Sequence, residues 1–271
     1  MSDIETRSIK VKKYFTKTPN KPSHTVNWVI MSLGLFIFIS PFFSDDPGCY
    51  GFCFGFGVLI LIAGGLKYRS DERMYKRAYD DAEPKPSDQQ LDEWLEEAKQ
   101  EIISGAMDKL HLTPEQALNT NDPLVVIGPS ASAKFKVGED GVIRFSSYKI
   151  VVIYLSQYHL GAYTCNLRMD SGEVSSEQTQ EYHYADIVSV STLTSNSIFK
   201  VITMDGREHD IKGQQQFSLS VVNGESITVT VAFPELENIF SKGRLLPTGA
   251  DKAINTIRKM WLEQKGSSQS K

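Results

Sequence analysis

Two uninterrupted apolar runs dominate the first quarter of the chain. Residues 26–43 (VNWVIMSLGLFIFISPFF) and 49–66 (CYGFCFGFGVLILIAGGL) each hold 18 residues without Asp, Glu, Lys, Arg or His. At about 1.5 Å of rise per residue, an 18-residue helix reaches roughly 27 Å, close to the thickness of a bilayer's hydrocarbon core. Between the runs lies Ser44-Asp45-Asp46-Pro47-Gly48. Each Asp costs about 2.5–3.5 kcal/mol at a bilayer centre, so this turn belongs outside it. The pattern predicts a transmembrane hairpin over 26–66; a hairpin buried in a globular core is the other reading of the same runs.

After Leu66 the pattern turns amphipathic. Residues 67–82 (KYRSDERMYKRAYDDA) lack Pro and Gly, so the second helix is expected to continue, with Lys67, Arg69, Arg73, Lys76 and Arg77 on its polar faces. Pro84 and Pro86 break it. Ser87 with Gln90 reads as a capping box, and Leu91, Trp94, Leu95, Ala98, Ile102, Ala106 and Leu110 form one helical stripe. We therefore read 67–119 as a helical linker. Residues 1–25, interrupted by Thr16, Thr18, Pro19, Asn20, Pro22 and Ser23, read as a flexible basic tail.

From residue 120 the period changes to two. Short strands are expected at 124–127, 148–156, 160–170, 180–184, 187–194, 198–204, 207–211, 217–222 and 226–233. Asp205-Gly206 and Asn223-Gly224 supply hairpin turns. A final amphipathic helix near 250–265 places Ala253, Ile254, Ile257, Met260 and Trp261 on one face, before a polar tail at 266–271. The 120–271 segment is expected to fold without the membrane, with Trp261 in its core. The expected fold class is thus a membrane α-hairpin plus an α+β part, the latter an antiparallel barrel or sandwich closed by a C-terminal helix.

Charge orients the hairpin. Residues 1–77 hold 11 basic and 6 acidic side chains, 78–271 hold 18 and 27, and the 44–48 turn has no base. The positive-inside bias then places both termini in the cytoplasm of an integral membrane protein of the plasma or inner membrane, with the five bases of 67–77 as an ordinary stop-transfer anchor or, more sharply, as candidate contacts for anionic lipid. The acidic body argues against nucleic acid. Small residues on the second run, Gly51 and Gly55 on one face and Cys53, Gly57 and Gly64 on another, are candidate helix-packing positions, one face within the hairpin and the other toward a second copy. The alternative is that glycine is simply frequent in such helices.

The strand order, with Tyr184-Ala185-Asp186-Ile187-Val188-Ser189-Val190 followed by 199–204 and Asp205-Gly206, resembles the pleckstrin-homology-like (PH-like) domains that bacteria attach to membrane hairpins. The similarity spans about 120–265. It implies recognition rather than catalysis, of lipid, peptide or a second copy. Phosphoinositide-binding members carry several bases around the first hairpin loop; here Ser156-Gln157-Tyr158-His159 has no Lys or Arg, and Lys149 and Arg168 lie away along the strands. The resemblance therefore does not extend to inositol phosphates. A plain antiparallel sandwich remains the structural alternative.

No HExxH, GxSxG, Walker A or GxGxxG motif is present, and the nearest phosphate-loop match, 243–250, lacks the required Lys. His24, His111, His159, His183 and His209 are scattered. His209 lies between Glu208 and Asp210, which face away from it on a strand. Three cysteines make neither a disulfide framework nor a metal cluster. We expect no catalytic, cofactor-binding or metal residues. The expected function is a non-enzymatic membrane-anchored interaction or scaffold protein, with a protein partner or self-association. The alternatives are an oligomeric membrane sensor-effector and a membrane-tethered enzyme.

Overall fold

The computed structural model describes residues 3–40, 50–204, 206–235 and 244–269. The chain divides into two compact units, one of residues 1–15 with 85–271 and one of residues 16–84.

In the smaller unit, α2 (Thr25–Ile39) and α3 (Tyr50–Ala82) pack as an antiparallel pair. The direction follows from the contacts. Gly57 lies against Phe38, Gly34 against Ile60 and Leu61, and Gly64 against Met31. Farther along, Asn27 Nδ2 donates to Asp71 Oδ2 at 3.1 Å. The bilayer-spanning hairpin expected from the sequence is corrected here. α2 has 15 residues, about 22 Å of helix against a hydrocarbon core of about 30 Å. In α3 the apolar sequence gives way at Lys67 to a charged half. Among the described residues no helix is long and apolar enough to cross a membrane. The lipid partner, the integral-membrane placement and the topology drawn from charge are corrected with it. The 44–48 turn lies outside the described residues. What the structure does retain is an apolar exterior: Trp28, Leu33, Phe36, Phe56, Leu59 and Ile62 are all exposed.

The larger unit is built on one sheet that is covered on both faces. Its order is β1 (Leu124–Pro129), β4 (Ser147–Leu155), β5 (His159–Arg168) and β6 (Val174–His183), all antiparallel. Between β1 and β4 the chain makes the hairpin of β2 (Phe135–Val137) and β3 (Val142–Phe145). A second antiparallel sheet follows, of β7 (Ile187–Ser195), β10 (Gln214–Val221) and β11 (Ser226–Ala232). The β8–β9 hairpin (Phe199–Ile202, Glu208–Ile211) is inserted in it. A two-residue strand, β12 (Arg244–Leu245), runs parallel to β3. The sheets are separate and open, so the expected barrel is corrected to an open sandwich.

Leu124, Val126, Val151, Ile153, Leu160 and Ala162 of the first sheet meet Val190, Phe217, Leu219, Ile227 and Val229 of the second. The C-terminal helix α5 (Ala250–Gln269) adds Ala253, Ile254 and Ile257 to that core. Trp261, expected inside it, is only partly buried. On the opposite face, Ile150, Val152, Tyr154, Tyr163, Cys165 and Leu167 pack beneath α4 (Asp88–Lys109) and α1 (Asp3–Tyr14). Burial on both faces explains why β4 reads as a near-continuous apolar run rather than an alternation.

α4 begins at the expected capping box: Ser87 Oγ accepts from Gln90 N at 3.1 Å and the Gln90 side chain accepts from Ser87 N at 3.4 Å. It is a packed layer of this unit. The first 14 residues, expected to be flexible, carry a helix as well. Val11, Tyr14 and Phe15, spaced i, i+3, i+4, form a buried edge that anchors it.

Candidate functional site

Register places the inward-facing side chains of the first sheet in transverse rows. Leu124, Ile153 and Ala162 form one row, and Val126, Val151 and Thr164 the next, with Gln178 beside Thr164. The last row is Gly128, Lys149 and Asn166. The inner face thus passes from apolar to polar over two rows, away from the end that α5 covers.

Gly128 has a steric reason: a Cβ there would lie 1.7 Å from the Thr230 carbonyl oxygen, so β1 and β11 approach closely only because the side chain is absent. Beside this contact the sheets separate around a polar cleft of about 450 Å³, reaching Ser130, Lys149, Thr164, Asn166, Gln178, Phe199, Gln216 and Thr230.

Lys149 is half-buried, and burial pushes its ammonium below the ordinary lysine range. The structure gives it no counter-ion or hydrogen-bond partner among the described residues, and no acidic side chain lines the cleft. Thr164 is 5 % exposed and its Oγ1 has no hydrogen-bond partner. Asn166 accepts from Ser130 Oγ at 3.3 Å through its Oδ1 and lines the cleft. A partly dehydrated cation beside an unsatisfied hydroxyl is an arrangement suited to an anion.

A second polar cluster has the opposite character, because it is saturated. Arg144 on β3 is 1 % exposed. Its Nε and Nη2 each donate to the Asp92 carboxylate at 2.7 Å, and Nη1 and Nη2 donate to Asp140 at 2.9 and 2.7 Å. Asp88 Oδ2 is 3.7 Å away, and Tyr14 donates to Asp88 Oδ1 at 2.5 Å. The hydrogen bonds from Arg144 hold the Asp140 carboxyl well below the usual range. This cluster joins α1, α4 and the β2–β3 hairpin. Its donors are spent on one another, which marks a structural clasp.

The residues singled out in the sequence fall elsewhere. Lys67, Arg69, Arg73, Lys76 and Arg77 are all exposed on α3. Of the helix-packing positions, Gly57 and Gly64 face α2, whereas Gly55 faces open space. Gly51 and Cys53 stand on α3, but their surroundings are not among the described features, and Cys49, like Asp205 of one expected turn, lies outside the described residues. Cys165 is fully buried, and burial raises its thiol to about 11, a protein-interior thiol rather than a nucleophile. Ser156 Oγ lies 2.9 Å from His159 Nδ1, but the same hydroxyl bonds the His159 backbone, so the pair closes the β4–β5 turn. His209 stands on β9 between Glu208 and Asp210. Among the described residues no group of three His, Cys, Asp or Glu side chains could hold a metal ion.

The sequence sets Lys149 aside as remote from the first hairpin loop, and it sits in a strand buried on both faces, where apolar parity cannot say which way it points. No family model, no curated protein and no solved structure matches the chain.

Proposed function

We propose that the chain is a non-enzymatic recognition protein whose larger unit is a PH-like module and whose ligand enters the polar cleft between its two sheets. The PH-like part of this reading is supported by element order: a four-stranded antiparallel sheet, a three-stranded one, then a helix over one end. The recognition part rests on a single observation, the uncompensated Lys149 ammonium beside the unpartnered Thr164 hydroxyl. A side chain that burial disfavours and no neighbour rewards violates the local rules of packing. Such violations concentrate where a protein binds something.

The test is a thermal-shift survey of the full-length chain against small anions and neutral polyols, run in parallel on Lys149→Met. A compound that raises the melting temperature of the natural chain only, and is recovered chemically unchanged, supports the reading. If the two proteins respond identically to every compound, the cleft is not a recognition site.

A further inference from the structure

The composition of the cleft also selects among anions, and this step rests on the recognition reading above. We propose that its ligand is a small hydroxylated monocarboxylate, a sugar acid or a chemically similar polyhydroxy acid.

Three features carry the choice. The first is charge. Lys149 is the one ionisable side chain among the lining residues described, so a single negative charge is neutralised while a dianion would leave one charge unpaired in a partly dehydrated site. The second is donor geometry. Phosphate is typically held by guanidinium forks, paired cations or a helix N-terminus. The lining residues come from strands and the short 129–131 segment, and none is Arg.

The third is the rest of the wall. Thr164 offers a hydroxyl, and Asn166 and Gln178, its neighbours on the same sheet, are lining residues whose amide groups can both donate and accept. A hydroxyl group is also donor and acceptor together, so polyol hydroxyls match amides where phosphate oxygens, which only accept, do not. Phe199 closes one wall with a ring edge, the rest of the ring being packed against Phe233 at 4.8 Å between centroids. At about 450 Å³ the cleft is in the size range of small-molecule sites. Lys149 would pair with the carboxylate, and the amides would read the hydroxyls.

Titration calorimetry on the full-length chain with D-gluconate, D-galacturonate, D-glucose, D-glucose 6-phosphate and inorganic phosphate tests this. The expected order places the two sugar acids first. Lys149→Met should weaken them at least tenfold, and Thr164→Val several-fold. D-Glucose should bind no better to the natural chain than to Lys149→Met. Each variant is first checked for an unaltered circular dichroism spectrum, and Lys149→Gln replaces Lys149→Met if the latter does not fold.

If a phosphate compound binds more tightly than either sugar acid and needs Lys149, the ligand class is wrong while the recognition reading stands. If sugar acids bind equally well to the natural chain and to the Lys149 variants, the assignment to this cleft is wrong. If no compound here or in the thermal-shift survey acts through Lys149, both inferences fall together.

Discussion

Arg144→Met is the perturbation whose size the structure fixes best. The natural guanidinium makes four hydrogen bonds of 2.7–2.9 Å to Asp92 and Asp140 from a position that is 1 % exposed. Removing it deletes these bonds and leaves Asp92 and Asp140 without their guanidinium partner, Lys136 near Asp88 being a cation that stays. Breaking a buried pair by deleting one partner costs about 3–5 kcal/mol. The three carboxylates are 18, 36 and 42 % exposed and can partly rehydrate. The lower end, about 3 kcal/mol, is therefore expected. For a unit of this size that is a fall in Tm of roughly 6–12 °C. Unfolding should be followed by fluorescence of Trp94 and Trp261 in a Trp28→Phe background, so that the signal reports the larger unit alone. pH supplies the sharper check. Asp140 is held below its unfolded pKa by Arg144, so its contribution is present above about pH 4 and is lost as pH falls toward the folded value. Arg144→Met lacks that contribution, and acidification relieves its carboxylate repulsion. The two proteins should converge below about pH 4. A difference under about 1 kcal/mol at pH 7, or one that stays constant to pH 3, would refute the clasp.

Three further outcomes are expected. Lys149→Met should stabilise the ligand-free chain at pH 7 in urea denaturation; burial lowers the lysine's folded pKa, so charging it costs free energy below that value and nothing above the unfolded pKa of about 10.4, where the advantage should vanish. Gly128→Ala should cost about 1–3 kcal/mol or more, since its Cβ meets the Thr230 carbonyl and β1 must part from β11, to be measured by the same denaturation. In the helical pair, Gly57→Ile should lower the temperature of protease susceptibility because its Cβ would lie 2.7 Å from Phe38 N, while Gly55→Ile, with nothing within 4 Å, should leave it unchanged.

Much of the fold is legible where one physical signal acts alone. Ser87 and Gln90 announce α4 because a capping box needs only local geometry, and the Leu91–Ala106 stripe needs only a helical period. What the pattern could not supply was the partner of that stripe. The sequence makes α4 a linker, yet it covers the outer face of the first sheet, with Leu91, Leu95 and Ile102 on the same core as Ile150, Val152 and Leu167. The fragment 120–271, expected to fold unaided, would expose that face. α1 was missed for the reverse reason. Val11, Tyr14 and Phe15 are three residues in a basic segment, too few for a periodicity, and their burial is a tertiary fact. The two apolar runs are weighed by length in the sequence, and among the described residues no helix is both long and apolar enough to cross a membrane.

The cleft shows why site and core are hard to separate from sequence in such a sandwich. In a sheet with one wet face, a lysine among valines betrays itself by breaking an alternation of apolar and polar positions. In β4, Tyr148, Ile150, Val152 and Tyr154 point to one core and Val151, Ile153 and Leu155 to the other. Lys149 therefore breaks no alternation, and both of its strand neighbours are buried or nearly so. Only the register, which sets it between Gly128 and Asn166, reveals that its row is polar. The same register explains why the row can be polar at all. The β1–β11 approach at Gly128 pins the sheets on one side, and the apolar rows fill the α5 end. The opposite corner is left open, where hydration or a ligand can satisfy groups that the core could not.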